Sequence, residues 1–443
     1  MWKSSKAIPD LGQYDVIVVG SGSAGTPAAI AAARMGKTTL LIERLPFLGG
    51  TSTAVLDTFY GYYMPGKTSR RIIGGIANDV YDELQRLDRV IERPNTHGAG
   101  TAVTYHPEYL KVAWENLARQ AGVKVILNGF VQDVIVDQDR ITGLVLATIG
   151  GLRTVKGRVF VDATGDANLC HFAGFEYELA GELEPAQTLT TTFKMVNVDV
   201  TKRKTLSKEA FHSLMAEAAD SGRYRLPRRE GSDHITPVDH MTATIMTRLD
   251  SYQKQADGSI INASDPCYLS QAEQAGRLQA IEYIRFLRDM VPGYEHAQLA
   301  TLGTTIGVRE TRRVYGEYRL TRDDVLQARQ FDDQIGLCGA PIEDHHGGTD
   351  TRWVYLPEGQ CVGIPYRTLI PKGSENLFVA GRCFSATHDA HASVRSMGQC
   401  MVMGQAAGTA AAMCADQHIT PLEINTDRLR HILLDQGAVL ELS

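Results

Sequence analysis

The segment Gly20-Ser21-Gly22-Ser23-Ala24-Gly25 constrains this chain more than any other. Its G-x-G-x-x-G spacing follows the β-branched run Val16-Ile17-Val18-Val19 and precedes an alanine-rich stretch. Spacing alone is a weak signal, but the context is specific. A buried strand stops at Gly20, and a helix over 24–36 carries Pro27 in its first turn and Gly36 as C-cap. A second strand over 38–42 then closes on Glu43. Parallel strands joined in this way are buried on both faces, with a right-handed crossover. In such a unit Gly20 makes the turn, Gly22 lets a pyrophosphate approach the backbone, and Gly25 lets helix and strand pack closely. Unpaired amides around Ser21, Ser23 and Ala24, with the helix dipole, hold phosphates. Glu43, with Arg44 beside it, meets the adenosine ribose.

The rest of the composition agrees with a globular protein. Of 443 residues, 42 are glycine, against roughly 7 % in ordinary proteins. Hydrophobic residues at 43 % and charged residues at 22 % exclude disorder and coiled coil. At about 150 residues per domain, the length predicts two or three domains. A net charge of −6 disfavours nucleic acid as a ligand. The seven cysteines form no C-x-x-C pair and read as reduced thiols. The first residues lack an apolar secretory core and no apolar run reaches a membrane span, so a cytoplasmic protein is expected.

Along the chain, residues 1–12 read as a polar tail and 14–19 as the first strand. Helices are expected at about 76–88 and from Pro107 to Gly122. Between 123 and 163 the pattern turns to strands, including LRTV and GRVFVDA separated by Gly157, with a turn at Asp137-Gln138-Asp139-Arg140. This predicts a β-meander inserted in a doubly wound sheet. From about 176 to 300 periodicity weakens and one long helix, 269–290, stands out. Thr321 with Asp323 and Asp324 starts a short helix. Strands return at 361–370 and 376–380, and 398–415 is a helix of small residues and Met. The predicted fold is α/β: a Rossmann-like domain over 13–175 and 350–418, a mixed α+β substrate or cap domain over 176–349, and a helical tail over 419–443.

Three further segments identify the dinucleotide. Gly49-Gly50-Thr51-Ser52-Thr53 follows Glu43, where a bulky ring needs close backbone approach. Ala163-Thr164-Gly165-Asp166 ends a strand, and Asn376-Leu-Phe-Val-Ala-Gly381-Arg382 ends another. With Arg309-Glu310-Thr311-Arg312-Arg313 and the block from His391 to Ala411, the chain resembles FAD-dependent oxidoreductases of the glutathione-reductase-like superfamily. The resemblance lies in the branch of the fumarate reductase and succinate dehydrogenase flavoproteins. It covers both ends of the chain and hardly touches 180–300.

That resemblance implies FAD, with the isoalloxazine near Gly49 to Thr53 and the start of the 398–415 helix: Met397, Gly398, Gln399, Cys400 and Met401. The helix dipole would face the ring, with Gly404 and Gly408 punctuating the same helix. Val131 would contact adenine, and Gly381-Arg382 the ribityl chain. No histidine stands at Thr51, Ser52 or Thr53, so FAD is expected to be non-covalent. There is no second G-x-G-x-x-G, so the electron donor is expected to be the substrate.

Flavin chemistry needs a base and an orienting group. His391 is the favoured base and His388 a second candidate, while Arg395 would bind a carboxylate or polarise an oxygen. Arg309 is a further anchor, although a triplet of arginines (309, 312 and 313) before a short helix also makes an interdomain ion-pair cluster. Tyr60 would line the flavin face, or pack with Tyr62 and Tyr63. Glu343-Asp344-His345-His346 reads as a polar loop, because adjacent histidines point apart; no metal is expected. The expected reaction is oxidation of a small polar substrate by hydride transfer to flavin N5, with O2 or an electron carrier as acceptor. No nucleic acid or membrane partner is expected, and a homo-oligomer is possible. The alternatives are an NAD(P)H-using reductase or monooxygenase, and a non-catalytic or RNA-modification protein that binds FAD.

Overall fold

The computed structural model describes residues 8–66, 69–95, 98–138 and 140–442. Residues 1–7 of the expected tail, and Asp139 of the expected turn, lie outside the described residues. Strand β1 (Asp10–Val19), helix α1 (Gly25–Arg34) and strand β2 (Thr39–Ile42) form the parallel unit that the glycine loop requires. Next come α2 (Ile76–Leu87) and α3 (Pro107–Gln120). Strands β3 (Lys124–Ile126), β4 (Phe130–Asp137), β5 (Arg140–Thr148) and β6 (Gly151–Asp162) follow.

The sheet runs β3-β2-β1-β6-β5-β4. Its first four strands are parallel, and β5 and β4 turn antiparallel. Two strand expectations need correction. The chain enters β1 at Asp10, inside the expected polar tail, because the long β6 offers a pairing edge as far back as Thr154. LRTV and GRVFVDA are one strand, not two. Gly157 does not break it: a Cβ there would lie 2.8 Å from the Ile17 and Phe160 side chains, so the glycine serves packing.

Between the halves of this sheet lies a second, four-stranded antiparallel sheet. Its order is Ser232–Ile235, Thr242–Ile245, Phe193–Val196, Gln298–Leu302. Helix α4 (Pro266–Met290) and the Lys208–Asp220 helix join it around Phe193, Met195, Phe211, Tyr283 and Phe286. These strands span only four or five residues and carry polar side chains on both faces, so no alternation marks them.

The chain then returns to the first sheet. The expected 361–370 strand is only Val362–Pro365 followed by a 3-10 turn, since Pro365 cannot donate a further ladder bond. Strand β7 (Leu377–Val379) pairs with the last residues of β6, on the edge that β5 has vacated. Asn376 fills the fork: its Nδ2 donates to Ile141 O and Arg158 O, and its Oδ1 accepts from Ile141 N. Helix α5 (His388–Val394), with Arg395 as its C-cap, covers the His388–Arg395 segment that the sequence reading ran from strand into helix.

Helix α6 (Met397–Gln417) is buried nearly throughout and lies against α1. A Cβ on Gly404 would stand 2.0 Å from Ala24 O, and one on Gly408 2.0 Å from Ala28 O. These two glycines therefore serve helix–helix contact rather than a flavin ring. The last helix, Thr426–Asp435, buries Leu429 and Leu433 in the main core.

Candidate active site

The glycine loop has one open position between two closed ones. A Cβ on Gly20 would lie 2.5 Å from Ala163 O, and one on Gly25 1.6 Å from Gly20 O, whereas nothing lies within 4 Å of one on Gly22. The buried Glu43 orders this loop. Its Oε2 accepts from Ser21 N at 2.8 Å and Ser21 Oγ at 2.6 Å, and its Oε1 accepts from Leu45 N at 2.8 Å. Arg44 beside it is exposed. The Gly49-Gly50 loop leans on the same turn, with Gly49 N donating to Ser21 O at 2.9 Å. Ser52 Oγ donates to Gly49 O and Thr53 Oγ1 to Leu48 O, while Thr51 is exposed. Val131 packs in one apolar cluster with Val19 and Ile42 at the strand ends.

Open space beside Gly22, the amides of Ser23 and Ala24 at the head of α1, and a carboxylate at the end of β2 fit the diphosphate and ribose of an adenine dinucleotide. Ala163 and Thr164 border this loop through Gly20. A Cβ on Gly165 would meet the Arg382 guanidinium at 2.9 Å. Arg382 Nη2 donates to Asp166 Oδ1 at 2.8 Å, and Thr311 Oγ1 donates to the same oxygen. Burial pushes the Asp166 carboxyl up, but Arg382 and Arg44 outweigh it and hold it below its ordinary value.

The first turn of α6 joins this cradle to a second group of polar residues. A Cβ on Gly381 would lie 2.9 Å from Ala24 Cβ and 3.8 Å from Cys400 Sγ. Cys400 Sγ in turn lies 3.4 Å from Arg395 O, and Gly398 N donates to Tyr60 O at 3.0 Å. Gln399 Nε2 donates to Gly61 O and Leu337 O, and Tyr62 Oη donates to Met401 Sδ. Met397 is buried, and Tyr62 is part of the core. Tyr60 keeps some exposure, with burial raising its hydroxyl pKa.

The two candidate histidines differ sharply. His388 lies between buried carboxylates, with Nδ1 3.0 Å from Glu310 Oε1 and Nε2 3.0 Å from Asp344 Oδ1. Burial opposes its charge, yet Asp344 and Glu310 raise the ring to about 9. His391 has no accessible surface, stacks on Phe384 and donates from Nε2 to Arg382 O at 2.7 Å. Burial holds its ring down at about 3.

The arginine triplet divides. Arg313 is fully buried among Glu178, Glu184 and Glu310, the ion-pair cluster. Arg312 Nη1 donates to Asp166 O at 2.8 Å. Arg309 makes no ion pair among the described residues; its Nη1 donates to Thr188 O and Thr190 Oγ1. In the 343–346 loop, His345 pairs with Glu343 and Thr351, and His346 with Asp344, so the two rings do point apart. Asp344, His346 and His388 nevertheless bring ligand-type atoms within 4.8 Å of one another. Arg352 Nη2, 3.1 Å from Asp344 Oδ2, already supplies a cation there.

Several polar residues near this region escaped the sequence reading. His234 Nε2 lies 2.9 Å from Asp57 Oδ1, a pair drawn from two distant segments. Arg228 and Arg248, also from the weakly periodic region, are almost fully buried. Their only sequence signal is charge in a segment rich in charge.

The family profile described as FAD dependent oxidoreductase matches residues 15–433. A digeranylgeranylglycerophospholipid reductase 2 from Methanothermobacter thermautotrophicus is 28 % identical over 172 residues, 37 % of this chain and 43 % of that protein. The chain thus spans less than half the length of that relative. A geranylgeranyl bacteriochlorophyll reductase-like structure from Thermoplasma acidophilum has TM-score 0.49 and 14 % identity, covering 96 % of this chain and 84 % of that one. A p-nitrophenol 4-monooxygenase from Pseudomonas putida has TM-score 0.46 and 10 % identity, covering 97 % and 87 %. Among the described residues no helix is long and apolar enough to cross a membrane. The chain belongs to the FAD dependent oxidoreductase family, an enzyme family, and its cofactor is FAD.

Proposed function

We propose that this enzyme oxidises a small polar substrate, with FAD held non-covalently in the cradle of Gly20–Gly25, Glu43, Gly49–Thr53, Asp166 and Arg382. FAD when bound supplies a hydride acceptor. The observation that carries the reading is the first turn of α6: Cys400 Sγ would lie 3.8 Å from a Cβ on Gly381 and lies 3.4 Å from Arg395 O, and Gly398 N donates to Tyr60 O. Groups that orient a substrate thereby stand next to groups that fit the cofactor.

Within this reading the residues divide their work. Arg395 and Arg309 hold the substrate's polar end, and Tyr60 bounds the site through its hydroxyl. His388, charged between Glu310 and Asp344, fixes the start of α5. His391 ties α5 to the Arg382 carbonyl, a positioning role suited to a buried, weakly basic ring. His234, whose Nε2 lies 2.9 Å from Asp57 Oδ1, takes the substrate proton.

An anaerobic screen of alcohols, amines and carboxylates, read by flavin bleaching, tests the proposal. Bleaching by one class without pyridine nucleotide is expected. Rapid bleaching by NADPH alone would favour the reductase or monooxygenase alternative. Purified protein that retains no flavin after reconstitution would refute both.

A further inference from the structure

Arg228, Arg248, Arg309 and Arg395 come from four separate segments, and none forms an ion pair among the described residues. Their fields converge. Burial first, and then all four guanidiniums, keep the buried His345 neutral. Glu343, the carboxylate that Arg228, Arg309 and Arg395 all feel, has its Oε1 held by His345 Nε2 at 2.9 Å. Glu230 and Asp350 act on Arg228 and Arg248, and Glu310 on Arg395. None of these carboxylates forms an ion pair with any of the four arginines.

The donors show what is missing. Arg248 holds the 347–351 loop through Gly347 O, Gly348 O, Asp350 O and Thr351 Oγ1, so most of its donors are occupied. Arg228 donates from Nη1 to Ile245 O, and its buried Nε has no partner. Arg395 donates from Nη2 to Gln187 Oε1, leaving its buried Nε and Gln187 Nε2 without acceptors. Arg309 and Arg395 retain partial solvent access, whereas Arg228 and Arg248 are almost fully buried. Unpaired buried guanidiniums and orphaned N–H donors carry a large desolvation cost that an oxyanion would offset.

We infer that Arg228, Arg309 and Arg395, with Gln187, bind a small dianion, either a dicarboxylate or a phosphate ester, as the anionic part of the substrate. This rests on the oxidoreductase reading of the same site and narrows its substrate class. Arg248 is a positioning residue that shapes the 347–351 wall.

The test uses FAD-loaded protein in low-anion buffer, titrated with malonate, succinate or inorganic phosphate, with acetate as the monoanion control. Tm and the flavin spectrum are followed. At least one dianion raises Tm and perturbs the flavin band, at concentrations where acetate does neither. The carboxylate and phosphate arms identify which oxyanion is preferred. Arg228→Met and Arg309→Met each weaken dianion binding by about tenfold or more. Without anion they keep or raise the parent Tm, because an unpaired buried charge has been removed. A merely structural arginine gives the opposite: both variants melt lower and the dianion shift persists, which overturns the inference. So does FAD-loaded parent protein on which every dianion behaves as acetate does. Failure to retain FAD strikes at the oxidoreductase reading instead, and flavin content measured on the same samples separates the two.

Discussion

The Glu310 carboxylate and the His388 imidazole face each other at 3.0 Å, both buried, and Asp344 closes the other side of the ring at 3.0 Å. The paired carboxylates overcome burial and raise His388 from 6.5 to about 9. Between those values the folded chain holds a proton that the unfolded chain releases. The stabilisation, on the order of 3 kcal/mol, is therefore complete below pH 6.5 and lost as pH rises through 9. His391 works in the reverse sense. Its ring is held at about 3, so stability falls as pH drops from 6.5 toward 3. Urea denaturation across pH should peak near 6.5. His388→Asn should flatten the alkaline limb and His391→Asn the acid limb.

Two glycines with similar sequence settings should behave in opposite ways. Gly408→Val places a side chain against Ala28 O, where a Cβ already lies at 2.0 Å, and should destabilise the fold by about 1–3 kcal/mol or more. Gly22→Ala meets no protein atom within 4 Å, so its urea midpoint should stay near that of the parent. Its FAD affinity should nevertheless drop, measured by flavin release on dilution. Equal loss of stability in both variants would remove Gly22 from the cofactor cradle.

The parallel unit was legible because everything it needs lies within 28 residues, from Val16 to Glu43: both strands, glycines, helix and carboxylate. The arginines on the substrate side were legible only in part. Arg309 stood out as one of three, but nothing local separates it from Arg313, which the fold surrounds with Glu178, Glu184 and Glu310. The difference arises from Glu178 and Glu184, more than a hundred residues away. Arg228 and the His234–Asp57 pair were invisible for the same reason. Short strands with polar side chains on both faces carry no periodicity, and the partners that give these residues meaning arrive through tertiary contact.

Glu43→Gln tests how tightly the cofactor cradle is set. The carboxylate accepts from Ser21 N, Ser21 Oγ and Leu45 N. An amide must turn its NH2 toward at least one of those donors, leaving that group unsatisfied. We expect a loss of about 1–3 kcal/mol in stability and weaker FAD retention, the second measured by equilibrium dialysis. Unchanged FAD retention would detach Glu43 from the ribose.

Arg313 holds the buried acidic cluster together. Its Nη1 pairs with Glu310 and its Nη2 with Glu178 and Glu184, and Arg319 also reaches Glu178. Arg313→Met removes the central cation and leaves buried carboxylates facing each other, with Arg319 and His388 as the remaining counter-charges. The expected cost is about 3–5 kcal/mol near neutral pH. The remedy open to the variant is protonation. Arg313 helps hold the buried Glu310 carboxyl low, so without it Glu310 titrates at higher pH and the variant takes up a proton in acid more readily than the parent. The gap between variant and parent should therefore narrow as pH falls. Urea midpoints for both proteins at pH 5 and pH 7.5 measure this directly, and a gap that is constant or widens in acid would show that Arg313 acts through packing rather than charge.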